Sequence, residues 1–298
     1  MNAMFRGLSA FPITPADADG RVDVEALQRL VKRLVDAKVD SIGLLGSTGS
    51  YPYLSRAERR RAIEAAAAIA KGKSPILVGS GAMRTDEAVA LARDAEEAGA
   101  DALLLAPVSY TPLTDREVFT HFETVAAAVK LPVCIYNNPG TTHFTFSAGL
   151  VARLSRIANI VAVKNPAPDA GHVFAQLEDL RARVGRDFSL GFSGDWKVTE
   201  TLIAGADAWY SVVGGLFPEP CMAIVRAVRE GKPADARKLN ADLQPLWDLF
   251  IAHSSLRVVY AAANALGIVK AAPPRPILPL EPDAERQVRE VVERLRLR

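Results

Sequence analysis

Eight short apolar runs recur along the chain, and they constrain its fold more than any other feature. They are Leu8–Ile13, Ser41–Leu45, Pro75–Val78, Ala102–Ala106, Leu131–Tyr136, Ile160–Val163, Phe188–Phe192 and Ala208–Val213. Most are too short for helices and are bounded by Gly, Pro, Asn or Asp. Apolar residues without alternation indicate strands covered on both faces. The runs recur about every twenty to thirty-four residues, the length of one strand–helix unit. Eight such units predict an α/β fold, a (β/α)8 TIM barrel. A doubly wound sheet fits less well, since it usually has fewer units and an early Gly-rich dinucleotide turn.

Helical patterns fill the gaps. Leu27, Leu30, Val31, Leu34 and Val35 follow the 3.6-residue period. Ser55–Glu58 and Thr114–Glu117 have the capping-box pattern, and Thr85 is predicted to cap a third helix ending near Gly99. Gly231 and Pro233 mark a boundary. Residues 1–230 are assigned to the barrel and 231–298 to a C-terminal helical region. In the latter, Ala234–Phe250, Ser255–Leu266 and Pro282–Leu297 read as helices that could serve in oligomer contacts.

The formal net charge is +2, with acidic and basic residues interleaved. That gives no electrostatic case for nucleic acid or an anionic membrane. No run reaches the ~18 apolar residues of a membrane span, and Met1–Gly7 lacks the pattern of a leader, so a soluble cytoplasmic protein is expected. Cys134 and Cys221 sit in apolar contexts outside any CxxC, and read as buried structural thiols. His121, His143, His172 and His253 show no metal-ligand spacing. His121 reads as structural, whereas His143 could line the mouth of the barrel.

In such barrels chemistry gathers at the C-terminal ends of the strands. Lys164 closes the sixth apolar run, and Pro166 is expected to stop its pairing. Desolvation there favours the neutral amine, which can form a Schiff base with a ketone. Tyr136 ends the fifth run and could shuttle protons beside it. Gly46-Ser47-Thr48-Gly49 follows the second run, where amides and hydroxyls could hold a carboxylate. Gly194-Asp195 and Gly214-Gly215 follow the seventh and eighth, where barrels often bind phosphate. Asp195 is expected to repel one.

Together, Gly46–Gly49, Tyr136-Asn-Asn-Pro-Gly140, Ile160–Lys164 and Ser193-Gly-Asp195 resemble one family over essentially the whole chain. It is that of the pyruvate-dependent Schiff-base aldolases typified by dihydrodipicolinate synthase and N-acetylneuraminate lyase. The resemblance implies that Lys164 forms the imine with pyruvate, Tyr136 transfers protons and Ser47 relays them. It implies pyruvate contacts at Thr48, Gly46, Gly194 and the Tyr210 backbone. Tyr110 resembles a tyrosine contributed by a neighbouring subunit, although its loop is spaced differently. No metal or redox cofactor is implied, because the lysine is the electron sink. The implied partners are pyruvate, an aldehyde and a second copy of the chain, as a homodimer or homotetramer.

Two positions depart from the family pattern. Ser50 stands where a glutamate is usual, and Thr141 where the synthase has an arginine for the aldehyde's carboxylate. The pyruvate half is intact and the aldehyde is open. The synthase reaction, a sugar-acid lyase reaction, and keto-acid binding without turnover stand as alternatives.

Overall fold

The structure, a computed structural model, describes residues 3–298. Eight parallel strands close into a barrel: β1 Gly7–Ala10, β2 Ser41–Leu44, β3 Ile76–Gly79, β4 Ala102–Leu105, β5 Val133–Tyr136, β6 Ile160–Pro166, β7 Ser189–Ser193 and β8 Ala208–Ser211. Neighbours in sequence are neighbours in space, and β1 pairs with both β2 and β8. Helices follow the strands and cover the outside, which is why the apolar runs show no alternation.

The buried residues form two separate cores. The larger lies between strands and helices, and includes Ile42, Leu44, Leu103, Leu105, Val163 and Leu190. The smaller fills the barrel with Phe5, Phe11, Leu77, Leu104, Cys134, Tyr136, Ala162 and Tyr210. Successive strand residues point to opposite faces. Tyr136 therefore points inward with Cys134, and Lys164 with Ala162. Glycines make room for the two largest interior rings. A Cβ on Gly43 would meet the Phe11 ring at 2.2 Å, and one on Gly191 would meet Tyr210 at 2.3 Å. Burying each large apolar side chain stabilises the fold by about 1.5–3 kcal/mol.

Most local expectations hold, with four corrections. Thr114 and Glu117 form the full capping box of the helix Asp115–Ala127. Ser55 accepts from the Glu58 amide, but Glu58 turns its carboxylate to the Val22 amide at 2.7 Å, so that box is only half formed. Thr85 is the first residue of its helix rather than the cap, and its hydroxyl lies 2.9 Å from Nδ1 of buried His121. The segment 234–250 is two helices, Pro233–Asp242 and Gln244–His253, because Pro245 can neither donate an amide nor continue the first. Lys164 does not end the sixth strand, which stops at Pro166. β6 continues through Asn165 to Pro166, paired with Phe192 and Ser193 of β7.

Cys134 and Cys221 are buried and unpaired, and burial pushes the Cys134 thiol up to about 12. No helix among the described residues is long and apolar enough to cross a membrane.

Candidate active site

Tyr136 and Lys164 pair directly across the β5–β6 ladder, which sets amine and phenol side by side inside the mouth. Lys164 is only 5% exposed. Its Nζ lies 4.0 Å from the centroid of the Phe11 ring, 4.3 Å from that of Tyr136 and 5.7 Å from that of Tyr210. Such aromatic faces attract a cation by about 0.5–2 kcal/mol each when close. Among the described residues no carboxylate pairs with this amine, and the buried Asp195 only feels its charge. The lysine is thus held by packing and is not locked in an ion pair.

The turn after β2 delivers a hydroxyl to the phenol. Ser47 Oγ lies 3.0 Å from Tyr136 Oη. Gly46 packs against the Phe11 ring, where a Cβ would come within 2.6 Å. Thr48 is buried beside it, at 6% exposure. Ser50, at the glutamate position of the family, takes a left-handed conformation with φ of 52°.

Asn138 also reaches the phenol: its Nδ2 donates to Tyr136 Oη at 3.0 Å and lies 3.5 Å from Ser47 Oγ. Asn137 donates to the side chain of Asn165 at 2.9 Å, which ties the loop after β5 to the extension of β6. Thr141 and Thr142 do not present free hydroxyls. Both bond the Asn138 carbonyl, at 3.3 and 3.0 Å, inside the single turn Pro139–Thr142. His143 ends that turn, exposed, with φ of 55°.

The other candidates come from β8 and from the loops after β4 and β7. Gly194 has φ of 98°, a conformation that favours glycine, in the turn after β7. Asp195 does not face the mouth. It is buried and accepts from the Trp209 indole and the Val213 amide, each at 2.8 Å, and burial raises its pKa. Its expected repulsion of a phosphate at the mouth therefore has no structural basis; it ties β7 to the loop after β8. The Tyr210 ring is fully buried, edge-to-face with Phe11, and its hydroxyl lies 3.5 Å from Cys134 Sγ. Tyr110 lies on the loop after β4, 89% exposed, and is not brought to the phenol within one chain.

Phe11 and Asn138 escaped the sequence reading. Phe11 sits just past β1, and the clue was its pairing with Gly43 and Gly46, which only the register reveals. Asn138 looked like loop filling inside Tyr136-Asn-Asn-Pro.

A buried lysine beside a phenol that is bonded to a further hydroxyl has the parts for carbonyl addition and proton transfer. The profile of the dihydrodipicolinate synthetase family matches residues 4–295. The chain belongs to the dihydrodipicolinate synthetase family. It is 34% identical over 290 residues to the 4-hydroxy-tetrahydrodipicolinate synthase of Alcanivorax borkumensis, covering 97% of each chain. Among solved structures it resembles the dihydrodipicolinate synthase of Agrobacterium tumefaciens, with TM-score 0.96, 56% identity and 98% of each chain covered. The dihydrodipicolinate synthase of Aquifex aeolicus superposes with TM-score 0.90 at 32% identity, covering 98% of each. The likeness to these synthases spans the whole barrel and the helices beyond it.

Proposed function

We propose that this member of the family is a pyruvate-dependent class I aldolase, a carbon–carbon lyase or synthase that works through an imine on Lys164. The observation that carries the reading is the pairing of Lys164 with Tyr136 across β5 and β6, with Ser47 bonded to the phenol. Lys164 Nζ adds to the ketone carbon of pyruvate, and water leaves as the imine forms. The protonated imine draws electrons from the methyl carbon, which loses a proton to become an enamine. The enamine carbon then attacks the aldehyde, or in reverse is released by cleavage.

Each residue has a task in this scheme. Tyr136 gives and takes the proton, and Ser47 passes it onward. Thr48, Gly46 and Gly194, with the backbone at Tyr210, surround the keto acid. Phe11 keeps the amine in place against the ring faces. The imine is the electron sink, so the proposed reaction uses neither metal nor redox cofactor.

The second substrate differs from that of the synthase. A carboxylate bound in a closed site needs a cation or several donors. Thr141 stands at the arginine position, and its hydroxyl is already bonded to the Asn138 carbonyl. The proposed site is completed across a homodimer or homotetramer in the cytoplasm, where the partner's copy of the exposed loop carrying Tyr110 extends the relay. Turnover of pyruvate with a panel of aldehydes tests the reading, because a protein that only binds keto acids consumes none.

A further inference from the structure

The relay has a third member within the same chain. Asn138 Nδ2 lies 3.0 Å from Tyr136 Oη. An amide nitrogen donates and cannot accept. The phenol oxygen therefore receives one hydrogen bond from Asn138, which leaves its own hydrogen free to turn to Ser47 Oγ, 3.0 Å away.

The backbone that carries the Asn138 side chain is itself anchored. Its carbonyl accepts from the amides of Thr141 and Thr142, each at 3.0 Å, and from the Thr142 hydroxyl at 3.0 Å. Pro139 begins the turn with its fixed φ. On the other side, Asn137 is bonded to Asn165 and to the Phe146 amide. Two anchors thus fix the backbone on either side of the residue, which leaves only its two side-chain torsions to bring the amide to the phenol.

Resting on the imine reading above, we propose that Asn138 is a positioning residue that fixes the direction of the proton relay. The Tyr136 O–H bond breaks toward Ser47 Oγ, while Ser47 passes its own proton on, by way of the partner's copy of the Tyr110 loop, to water at the mouth. The phenolate keeps the Asn138 donor. It then takes a proton from the methyl carbon of the iminium. The C–H electron pair becomes the enamine double bond, and the C=N pair returns to nitrogen. Without Asn138 the phenolate would have one donor fewer at the moment its charge is greatest.

The test separates this role from the imine itself. Deuterium exchange into the pyruvate methyl, followed by NMR in D2O without aldehyde, reads the proton transfer. Borohydride trapping of the same samples reads the imine. Asn138→Leu keeps the volume and Asn138→Asp keeps the shape, and neither carries an N–H. Both should slow exchange by about 10- to 150-fold, the range for a hydrogen bond to a charged group. Both should still trap pyruvate on Lys164. In a Tyr136→Phe background, Asn138→Leu should add less than about threefold, since both act in one relay. Wild-type exchange in both variants would overturn the proposal. So would a full further loss on top of Tyr136→Phe, or loss of trapping in both variants while the wild type still traps, which would make Asn138 a builder of the loop only. Failure of the wild-type protein itself to trap pyruvate would instead remove the imine reading on which the proposal rests.

Discussion

Ser47 Oγ and Tyr136 Oη stand 3.0 Å apart, although one comes from the turn after β2 and the other from the end of β5, on different sides of the barrel mouth. Their meeting depends on the closure of the whole barrel. Tyr136 in turn faces Lys164 across a backbone ladder. Groups held by strands keep their geometry better than groups on free loops. The site is therefore built before substrate arrives.

The hydroxyl pair gives the first prediction. Tyr136→Phe should retain pyruvate trapping but lose about 10²–10⁴ in kcat, the usual worth of general acid–base transfer. Ser47→Ala should act in the same direction. The double variant should lose less than the sum of the two free-energy changes. Steady-state kinetics on the four proteins decides it, and full activity in Tyr136→Phe would refute the assignment.

The packing of Phe11 gives a second. A Cβ on Gly43 would sit 2.2 Å from the Phe11 ring, so Gly43→Ala must displace it. The variant should melt at lower temperature and form the imine slowly, because the ring also faces the Lys164 amine at 4.0 Å. Adding Phe11→Leu should recover part of the stability by making room. Phe11→Ala alone should cost about 3–5 kcal/mol, as for other buried aromatic truncations. Thermal unfolding of the three variants would show whether ring and glycine are coupled.

Thr141 makes the third prediction, on specificity. With its hydroxyl committed to the Asn138 carbonyl, aspartate semialdehyde should be a poor partner. A charge-assisted hydrogen bond contributes roughly 1.5–3 kcal/mol, so the deficit should be about 10- to 150-fold in kcat/KM. Thr141→Arg should recover part of it. Efficient condensation by the unaltered protein, above about 10⁴ M⁻¹s⁻¹, would restore the synthase reaction as its own.

Assembly is the fourth. Tyr53, Met83 and Tyr110 are exposed on the loops after β2, β3 and β4, which suits a face covered by a second copy. Light scattering should give a dimer or tetramer. If Tyr110 acts across the interface, Tyr110→Phe mixed with inactive Lys164→Ala should regain activity, because one site of each mixed dimer is whole. An active monomer, or mixtures no better than their parts, would contradict this.

How far the sequence led depends on the kind of signal. The strands were legible because burial on both faces leaves continuous apolar runs, and Lys164 and Tyr136 because reactive residues at strand ends are conspicuous. Asp195 misled because sequence gives a residue's place and not its direction; the Trp209 indole and Val213 amide draw it into the core. The break at Leu243 was hidden because apolar periodicity ran through Pro245. Phe11 matters through Gly43, Gly46 and Lys164, far away in sequence, and Asn138 through a phenol two residues back that only the turn at Pro139 brings within reach; no local pattern shows either.

The central claim is that Lys164 forms the imine. Pyruvate with borohydride, followed by peptide mass mapping, tests it most directly, since reduction traps the adduct as a stable secondary amine. The label should fall on the peptide containing Lys164, and Lys164→Ala should stay folded, take no label there and lose turnover. Label on a different lysine, or none on the intact folded protein, would contradict the account.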